Sequence, residues 1–253
     1  MVNPTERFSN RVENYLKYRP GYPPAIIELL AAECQLTPAS VIADIGSGTG
    51  LLAQLFLANG NPVFGIEPNQ EMRSAAEALL KAYPNFTSVA ATAEATTLPD
   101  RSVDFVTAGQ SFHWFKTEQA YAEFVRILKA GGWVMLVWNE RQLDTTPFLR
   151  AYEQLLQHYA TDYENVRHEN VGDDKLKRFF GETLREKIFA NSQNFDFEGV
   201  KGRLLSSSYA PLAGQPNHEA MLDELKAIFE AYQVGGRIEF KYSTHLYYGR
   251  PAT

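Results

Sequence analysis

The sequence predicts an α/β protein with a mostly parallel sheet and helices on both faces. Short apolar runs typical of strands alternate with segments whose apolar residues have helical spacing, and this alternation implies a parallel sheet. The last alternating segment follows Gly235-Gly236 and suits an antiparallel partner. Seven strands are predicted, over residues 41–45, 63–67, 86–90, 103–107, 133–138, 186–197 and 237–248.

Residues that typically start and stop helices separate these strands. Proline in a first turn, or Ser, Thr, Asp or Asn as a cap, favours a helix start, and glycine favours a stop. Right-handed crossovers then bring the loops after the parallel strands to one edge of the sheet. The predicted starts are Pro24, Asn69, Thr117, Thr146-Pro147 and Asn217, and the predicted stops are Asn59-Gly60 and Gly131-Gly132.

Length and composition limit the class of protein. A chain of 253 residues with 45% hydrophobic residues is expected to form one domain, 1–253, with a substantial core. We expect residues 1–24 to form an N-terminal cap and residues 140–185 to form a helical insertion over the active site. The net charge is −6 with scattered Lys and Arg, so no nucleic-acid surface is predicted.

Other features of the composition concern location and metals. No apolar run approaches the roughly 18 residues of a membrane span, and the polar N-terminus carries no signal pattern, so we predict a cytoplasmic protein without a membrane partner. The single cysteine, Cys34, excludes an internal disulfide and a thiolate metal cluster. We predict no metal site, and the sequence gives no oligomeric state.

A glycine-rich turn opens the predicted fold. The apolar run 41–45 contains Asp44 and is followed by Gly46, Gly48 and Gly50, then by a helical pattern. Glycine can take positive φ and lets a ligand lie against bare backbone, so this turn indicates a nucleoside-bearing cofactor. Glu67 ends the next strand, at the spacing where an acid accepts hydrogen bonds from ribose hydroxyls.

Asp44 helps to decide between two cofactor classes. The register Gly48, Gly50, Ala53 satisfies the permissive dinucleotide motif, so the glycines alone leave a nicotinamide cofactor open. A carboxylate beside the turn would repel a pyrophosphate but would favour a sulfonium and an α-ammonium group. We therefore predict S-adenosylmethionine as the cofactor.

The motif from Asp44 to Gly50, D-x-G-x-G-x-G, resembles that of the class I S-adenosylmethionine-dependent methyltransferases. The resemblance implies a Rossmann-like fold, with Asp44 near the methionine end of the cofactor and Glu67 on its ribose. Ala93-Glu94 looks like the start of the family's adenine loop, and 110–115 like its segment after the fourth strand. The cofactor-binding residues so predicted are Asp44, Gly46, Ser47, Gly48, Gly50, Glu67, Pro68, Ala93, Glu94 and Gln110.

Weaker matches concern the methyl acceptor. Segments 8–15, 18–23 and 206–209 are similar to the methyltransferase type 11 subgroup that includes trans-aconitate methyltransferase-like proteins. If the N-terminal aromatics cap the cofactor site rather than only pack, Arg19 faces the cofactor and Tyr22 the acceptor. The resemblance implies a small carboxylate as acceptor, gripped by an arginine fork. Candidate residues on the acceptor side are Tyr22, Trp114, Arg141 and Arg203, with Arg19 as a third possible fork.

His113 is the candidate base for a hydroxyl or amine acceptor, because its ordinary pKa near 6.5 suits proton abstraction at neutral pH. Its position beside Trp114 and Phe115 is equally typical of a pocket wall. Methyl displacement depends mainly on alignment and requires neither a catalytic triad nor a metal. Two alternatives stay open: a nicotinamide-dependent oxidoreductase and a non-catalytic protein that binds an adenosyl cofactor.

Overall fold

A seven-stranded sheet forms the centre of the protein. The structure is a computed structural model that describes residues 17–161, Tyr163 and 173–252. Within them the strands are β1 (Ile42–Ile45), β2 (Val63–Ile66), β3 (Phe86–Val89), β4 (Val103–Gly109), β5 (Leu128–Arg141), β6 (Arg185–Phe195) and β7 (Ile238–Gly249).

The strands lie in the order β3-β2-β1-β4-β5-β7-β6. The pairs β1–β2, β2–β3, β1–β4 and β4–β5 are parallel. Strand β7 lies between β5 and β6 and is antiparallel to both. The prediction of a mostly parallel seven-stranded sheet with an antiparallel last strand is therefore confirmed.

Helices cover both faces of this sheet. Those described are α1 (Ala25–Cys34), α2 (Leu51–Ala58), α3 (Gln70–Leu79), α4 (Thr117–Ile127), α5 (Pro147–Tyr159), α6 (Asp173–Phe180), α7 (Phe197–Leu205) and α8 (His218–Tyr232). Short 3-10 helices cover Phe112–Trp114 and Gly181–Thr183. As predicted, Asn69 and Thr146 cap helices, accepting hydrogen bonds from the amides of Met72 and Leu149.

Alternate residues of the central strands supply the two faces. In β1, Ala43 and Ile45 pack with α4 and α6, whereas Ile42 packs with α1 and α2. Because side chains alternate across a strand, each central strand contributes to both cores. The sheet is thus buried on both sides, as parallel sheets usually are.

A third core lies where β6 and β7 extend beyond their neighbours. Helices α5, α7 and α8, here called the helical layer, pack on Phe195 of β6 and on Ile238, Phe240 and Tyr242 of β7. Since β7 runs antiparallel, its first residues lie at the edge where the parallel strands end. The helical layer therefore stands at the carboxyl edge of the sheet.

Two local predictions were wrong in detail, and a third, that Asn217 caps a helix, is confirmed in its position. Gly131-Gly132 do not stop a helix: α4 ends at Ile127, and the glycines lie in a bulge of β5, where Gly131 has a φ of +77° that glycine tolerates. Thr117 is the first residue of α4 rather than its cap. Asn217 precedes α8 but caps it without a side-chain hydrogen bond.

Two calls concern segments that are only partly described. Residues 1–16 of the predicted cap lie outside the described residues, as do residue 162 and residues 164–172 of the predicted insertion. No helix among the described residues is long and apolar enough to cross a membrane. The cytoplasmic location stays a prediction.

Candidate functional site

The glycine-rich turn between β1 and α2 forms the floor of the site. Gly46, Gly48 and Gly50 have φ values of +64°, +55° and +84°, which favour glycine. The amides of Gly46 and Ser47 both donate to the carbonyl oxygen of Ile66 in β2, at 2.8 and 3.1 Å. These hydrogen bonds fix the turn against the neighbouring strand.

Gly48 is the point where this turn faces open space. A Cβ atom at Gly48 would meet no atom within 4 Å. One at Gly46 would lie 2.7 Å from Cβ of Ser111, and one at Gly50 would lie 2.6 Å from Cδ1 of Leu80. The outer two glycines therefore allow close packing, and Gly48 leaves bare backbone for a ligand.

Glu67 follows β2 and holds one side of the turn. Its Oε2 accepts a hydrogen bond from the amide of Gly48 at 3.0 Å, and its Oε1 accepts one from the amide of Asn69 at 2.9 Å. Burial raises the pKa of Glu67, while the two amides act in the opposite direction. Each carboxylate oxygen retains a lone pair for a ligand hydroxyl.

Asp44 is completely buried beneath the same turn. The hydroxyl of Thr107 donates to its Oδ1 at 2.9 Å, and its Oδ2 has no hydrogen-bond partner among the described residues. Burial raises the pKa of Asp44 to about 7, with the charge of Glu67 adding to the effect; Thr107 and the amide of Ala53 oppose it. A cation placed at Oδ2 would stabilise the ionised carboxylate.

Gln110 occupies a strained position just after β4. Its φ is +59°, its amide donates to the carbonyl of Val137 at 3.0 Å, and its Nε2 donates to the carbonyl of Asn139 at 3.2 Å. Its buried Oε1 has no partner among the described residues. Like Asp44, Gln110 thus presents an unused acceptor, and both side chains line the same space.

That space is the central cleft, which holds about 430 Å³ of empty volume, part of it open to solvent. The segment before α1 forms one wall, which is held by hydrogen bonds from Nδ2 of Asn139 to the carbonyls of Pro20 and Gly21, at 3.3 and 3.2 Å. The cleft is lined by Arg19, Pro20, Tyr22, Asp44, Gly46, Ser47, Gly48, Thr49, Leu51, Leu52, Gly109 and Gln110.

Five residues predicted to bind the cofactor are not among those lining the central cleft: Gly50 and Glu67, which belong to the turn and its support, and Pro68, Ala93 and Glu94. Pro68 is exposed, and its carbonyl accepts a hydrogen bond from Arg73. Ala93 is buried in the core with α4. Oε1 of Glu94 accepts a hydrogen bond from the amide of Lys116 at 2.9 Å. Burial acts to raise the pKa of Glu94, but this hydrogen bond and others hold that pKa below its ordinary value.

His113 and Trp114 lie on the 3-10 helix that follows β4. Their rings are 4.5 Å apart, and Trp114 is 38% exposed. Neither residue is among those that line the central cleft. The structure therefore brings the predicted base to the same edge of the sheet without placing it on the cleft wall.

The three candidate arginines come from different elements and differ in their partners. Arg19 lines the central cleft and donates from Nη2 to the carbonyl of Ser206 at 3.0 Å. Arg141, at the end of β5, forms an ion pair with Glu153 of α5. Arg203 of α7 is buried and donates to the hydroxyls of Tyr242 and Ser207.

Sequence reasoning missed the residues that position these groups. Thr107 bonds Asp44, and Asn139 holds the cleft wall. Thr107 lies beside Asp44 in the register of β1 and β4. Each is a polar residue that directly follows an apolar run, near the carboxyl end of its strand, and that is the signal that could have identified both.

Fold and cleft together define a class of protein. An open α/β sheet binds ligands in the crevice at the carboxyl ends of its strands, near the point where strand order reverses. Here that point is between β1 and β4, where Asp44, Gly48 and Gln110 face the central cleft. The buried acid and the bare glycine backbone suit a nucleoside cofactor that carries positive charge.

Comparisons with known proteins agree with this class. The family model described as a methyltransferase domain matches residues 43–136. An uncharacterized methyltransferase of Schizosaccharomyces pombe is 29% identical over 246 residues, 95% of each chain. A malonyl-[acyl-carrier protein] O-methyltransferase of a Marinomonas species is 29% identical over 133 residues, 51% of this chain and 49% of that protein. A solved structure from Anaeromyxobacter dehalogenans, assigned as a type II methyltransferase, has a TM-score of 0.69 at 20% identity and covers 92% of this chain and 98% of its own.

Residues 43–136 match a methyltransferase domain, and the comparisons and the fold support a class I S-adenosylmethionine-dependent methyltransferase. It is a methyltransferase enzyme, and this class implies S-adenosylmethionine as the cofactor. The predictions of the family, the Rossmann-like fold and the cofactor are confirmed, whereas the acceptor and the roles of individual residues stay predictions.

Proposed function

We propose that the protein methylates a small-molecule acceptor and that this acceptor is a carboxylic acid. The observation that carries the proposal is the convergence of positive charge beside the central cleft. Arg19, in the cleft wall, donates to the carbonyl of Ser206, and Arg203 donates to the hydroxyl of the next residue, Ser207, so two guanidinium groups meet at the end of α7. A guanidinium presents donors in a planar fork that matches a carboxylate.

The residues of the central cleft fit the cofactor. Oδ2 of Asp44 is a buried acceptor without a partner among the described residues, at the place where a cationic methionine end would be held. Gly48 offers open space over its backbone, and Glu67 keeps lone pairs for ribose hydroxyls. We assign these three residues to cofactor binding, together with Gly46, Gly50 and Gln110, and with Arg19 in the wall.

S-adenosylmethionine, when bound, supplies a methyl group on a positively charged sulfur. The protein's part is to hold the acceptor in line and to exclude water. A carboxylate acceptor is already ionised at neutral pH, because its ordinary pKa is near 4, so no base is required. His113 would act as a base only with a hydroxyl or amine acceptor.

Enclosure supports a small acceptor. One wall of the central cleft is the segment with Arg19, Pro20 and Tyr22, and the carbonyl of Ser206 ties Arg19 to the helical layer. Sites that bury most of a ligand suit small molecules. The Marinomonas relative is named for O-methylation of a malonyl group, which supports an acid as acceptor here.

A methyl-transfer assay tests this function. Purified protein is incubated with S-adenosylmethionine and a panel of small carboxylic acids, amines and phenols, beside bulk RNA and denatured protein, and formation of S-adenosylhomocysteine is measured. We expect turnover with at least one acid and none with the macromolecules. The variant Asp44→Ala serves as the inactive control.

Two results would contradict the proposal. Methylation of RNA or protein with no small acceptor modified would overturn a small-molecule substrate. Turnover with amines or phenols alone would keep the small molecule and overturn the carboxylic acid, and would turn attention to His113 as the base.

A further inference from the structure

We propose that Arg203 and Tyr152 form a buried subsite that binds the carboxylate of the acceptor and sets acceptor specificity. This inference rests on the proposed methylation of a small acid. It names the arginine that meets the acid and adds a tyrosine that the sequence did not indicate.

Arg203 is a buried cation that has no anionic partner among the residues the structure describes. Its side chain is 6% exposed, its Nε donates to the hydroxyl of Tyr242 at 3.0 Å, and its Nη1 donates to the hydroxyl of Ser207 at 3.1 Å. Both partners are neutral hydroxyls, and no carboxylate among the described residues pairs with Arg203. Buried charges are normally paired, so this site is suited to an anion.

Arg141 shows the contrasting arrangement. It pairs with the carboxylate of Glu153, donates to the hydroxyl of Tyr163 at 2.9 Å, and lies over the ring of Tyr152 at 5.0 Å. Tyr163 in turn donates to Glu153 at 2.7 Å. A carboxylate therefore balances the charge of Arg141, whereas no carboxylate in the described part of the chain balances that of Arg203.

Tyr152 supplies an independent second observation. Its side chain is 1% exposed, and its hydroxyl has no hydrogen-bond partner among the described residues. Its ring is fixed edge-on against Phe240 at 5.0 Å and close to Phe148 at 5.8 Å. A buried hydroxyl without a partner is costly, so a ligand oxygen at this point would remove a penalty.

The two groups share one environment. Arg203 bonds Tyr242, and Tyr152 packs on Phe240, the residue two positions earlier on the same face of β7. The charges of Arg203 and Arg141 both act on the Tyr152 phenol. A carboxylate can accept hydrogen bonds from the guanidinium and from a phenol at once, because its two oxygens hold four lone pairs.

The phenol of Tyr209 lies in the same environment, and the direction of its pKa shift indicates a positive electrostatic potential there. Burial acts to raise the pKa of its phenol, but the charges of Arg203, Arg141 and Arg19 and a hydrogen bond with Ser207 hold the pKa below its ordinary value. Positive charge that favours a phenolate equally favours a ligand carboxylate.

Hydrogen bonds connect the subsite to the cofactor side. Arg19 lines the central cleft and donates to the carbonyl of Ser206, whose hydroxyl donates to the carbonyl of Arg203 at 2.7 Å. The main chain of Arg203 therefore lies one helical turn from Ser206, the residue that bonds Arg19 of the cleft wall. That placement suits an acceptor site beside a cofactor site.

Calorimetry with matched acids and amides tests the subsite. Succinate, glutarate and benzoate are titrated beside succinamide, glutaramide and benzamide into protein saturated with S-adenosylhomocysteine, and again into ligand-free protein. We expect at least one acid to bind more tightly than its amide. Arg203→Lys should weaken binding of that acid about tenfold or more, since lysine lacks the planar fork of donors.

Tyr152→Phe is the sharper variant, because it removes only a hydroxyl that no described residue bonds, and its fold is expected to be unchanged. It should weaken binding of the acid severalfold and leave binding of the amide and of S-adenosylhomocysteine unchanged. The matched control is Tyr232→Phe, on an exposed position of α8, which should change nothing.

Different outcomes contradict different statements. If S-adenosylhomocysteine binds but no acid exceeds its amide, or if both variants bind the acid as the wild type does, the subsite is wrong and the methyltransferase site is untouched. If S-adenosylhomocysteine fails to bind, the proposed function is contradicted, and the titrations of ligand-free protein still decide the subsite.

Discussion

Asp44 combines complete burial with an oxygen, Oδ2, that has no hydrogen-bond partner among the described residues. Burial raises its pKa from the ordinary value of 3.8 to about 7, with Glu67 the neighbouring charge that adds to this effect. Between these pH values the folded protein holds a proton that the unfolded chain has released. In the ligand-free protein the contribution of Asp44 to stability is thus fully present below about pH 4 and is lost as pH rises toward 7.

This titration gives a prediction for cofactor binding. A cationic ligand favours ionised Asp44, so the affinity for S-adenosylmethionine should rise with pH up to about 7, by at most about tenfold per unit, and level off above it. Proton release, measured by calorimetry in two buffers of different ionisation enthalpy, should accompany binding below pH 7.

Asp44→Asn is the matching control, because it keeps the shape of the side chain and removes its charge. The variant should bind S-adenosylmethionine more weakly than the wild type does. Its affinity should stay constant as pH rises to 7, because residue 44 no longer titrates. An equal pH slope in the variant would assign the effect to another group and contradict the role of Asp44.

The turn between β1 and α2 makes a prediction that separates folding from binding. Gly48→Ala places a methyl group in open space, so we expect a loss of unfolding free energy of about 1–2 kcal/mol from the positive φ alone. Gly50→Ala has the same backbone strain and also meets Leu80, which adds about 1–3 kcal/mol. Urea unfolding of the ligand-free variants measures both values.

Ligand binding should rank these variants differently. The methyl group of Gly48→Ala occupies the space over the turn. This variant should therefore weaken binding of S-adenosylhomocysteine more than tenfold, although it destabilises the fold less than Gly50→Ala does. A ligand affinity in Gly48→Ala equal to that of the wild type would show that the cofactor lies elsewhere.

Strand β5 illustrates a limit of sequence reasoning for single elements. Gly131-Gly132 follow a helical pattern and therefore look like a stop, yet Leu128 and Trp133 both pair with β4 and the residues between them form a bulge. Both readings use the positive φ of Gly131, which is +77°. Only the pairing partner distinguishes a helix end from a bulged strand, and the partner is a tertiary contact.

The three cores share strands, and this arrangement favours a single cooperative unit. Strand β7 contributes Leu246 and Tyr248 to the core with α1 and α2, and Phe240 and Tyr242 to the core of the helical layer. We propose that the chain is one domain. Urea unfolding followed by tryptophan fluorescence and by far-UV circular dichroism should give coincident transitions. Two separated transitions would show that the helical layer folds independently.

Much of the architecture followed from local patterns, because strand periodicity, caps and glycine turns are encoded within a few residues. The acids Asp44 and Glu67 could be placed at one crevice because both end parallel strands. The sequence could not predict that no described carboxylate pairs with Arg203 or that no described residue bonds the hydroxyl of Tyr152. Both depend on which side chains of β7 and α5 meet in the helical layer. Ala93 and Glu94 were predicted from a motif alone. In the structure Ala93 packs in the core, and Glu94 accepts a hydrogen bond from a backbone amide.

A binding titration is the most direct test that the central cleft binds S-adenosylmethionine. Wild-type protein is titrated with S-adenosylhomocysteine by calorimetry and with reduced nicotinamide cofactor by fluorescence. We expect one S-adenosylhomocysteine site and no nicotinamide binding, with Glu67→Ala weaker by roughly 1–3 kcal/mol and Glu77→Ala, on an exposed position of α3, unchanged. Nicotinamide binding without S-adenosylhomocysteine binding, or equal affinity in Glu67→Ala, would contradict this assignment of the cleft.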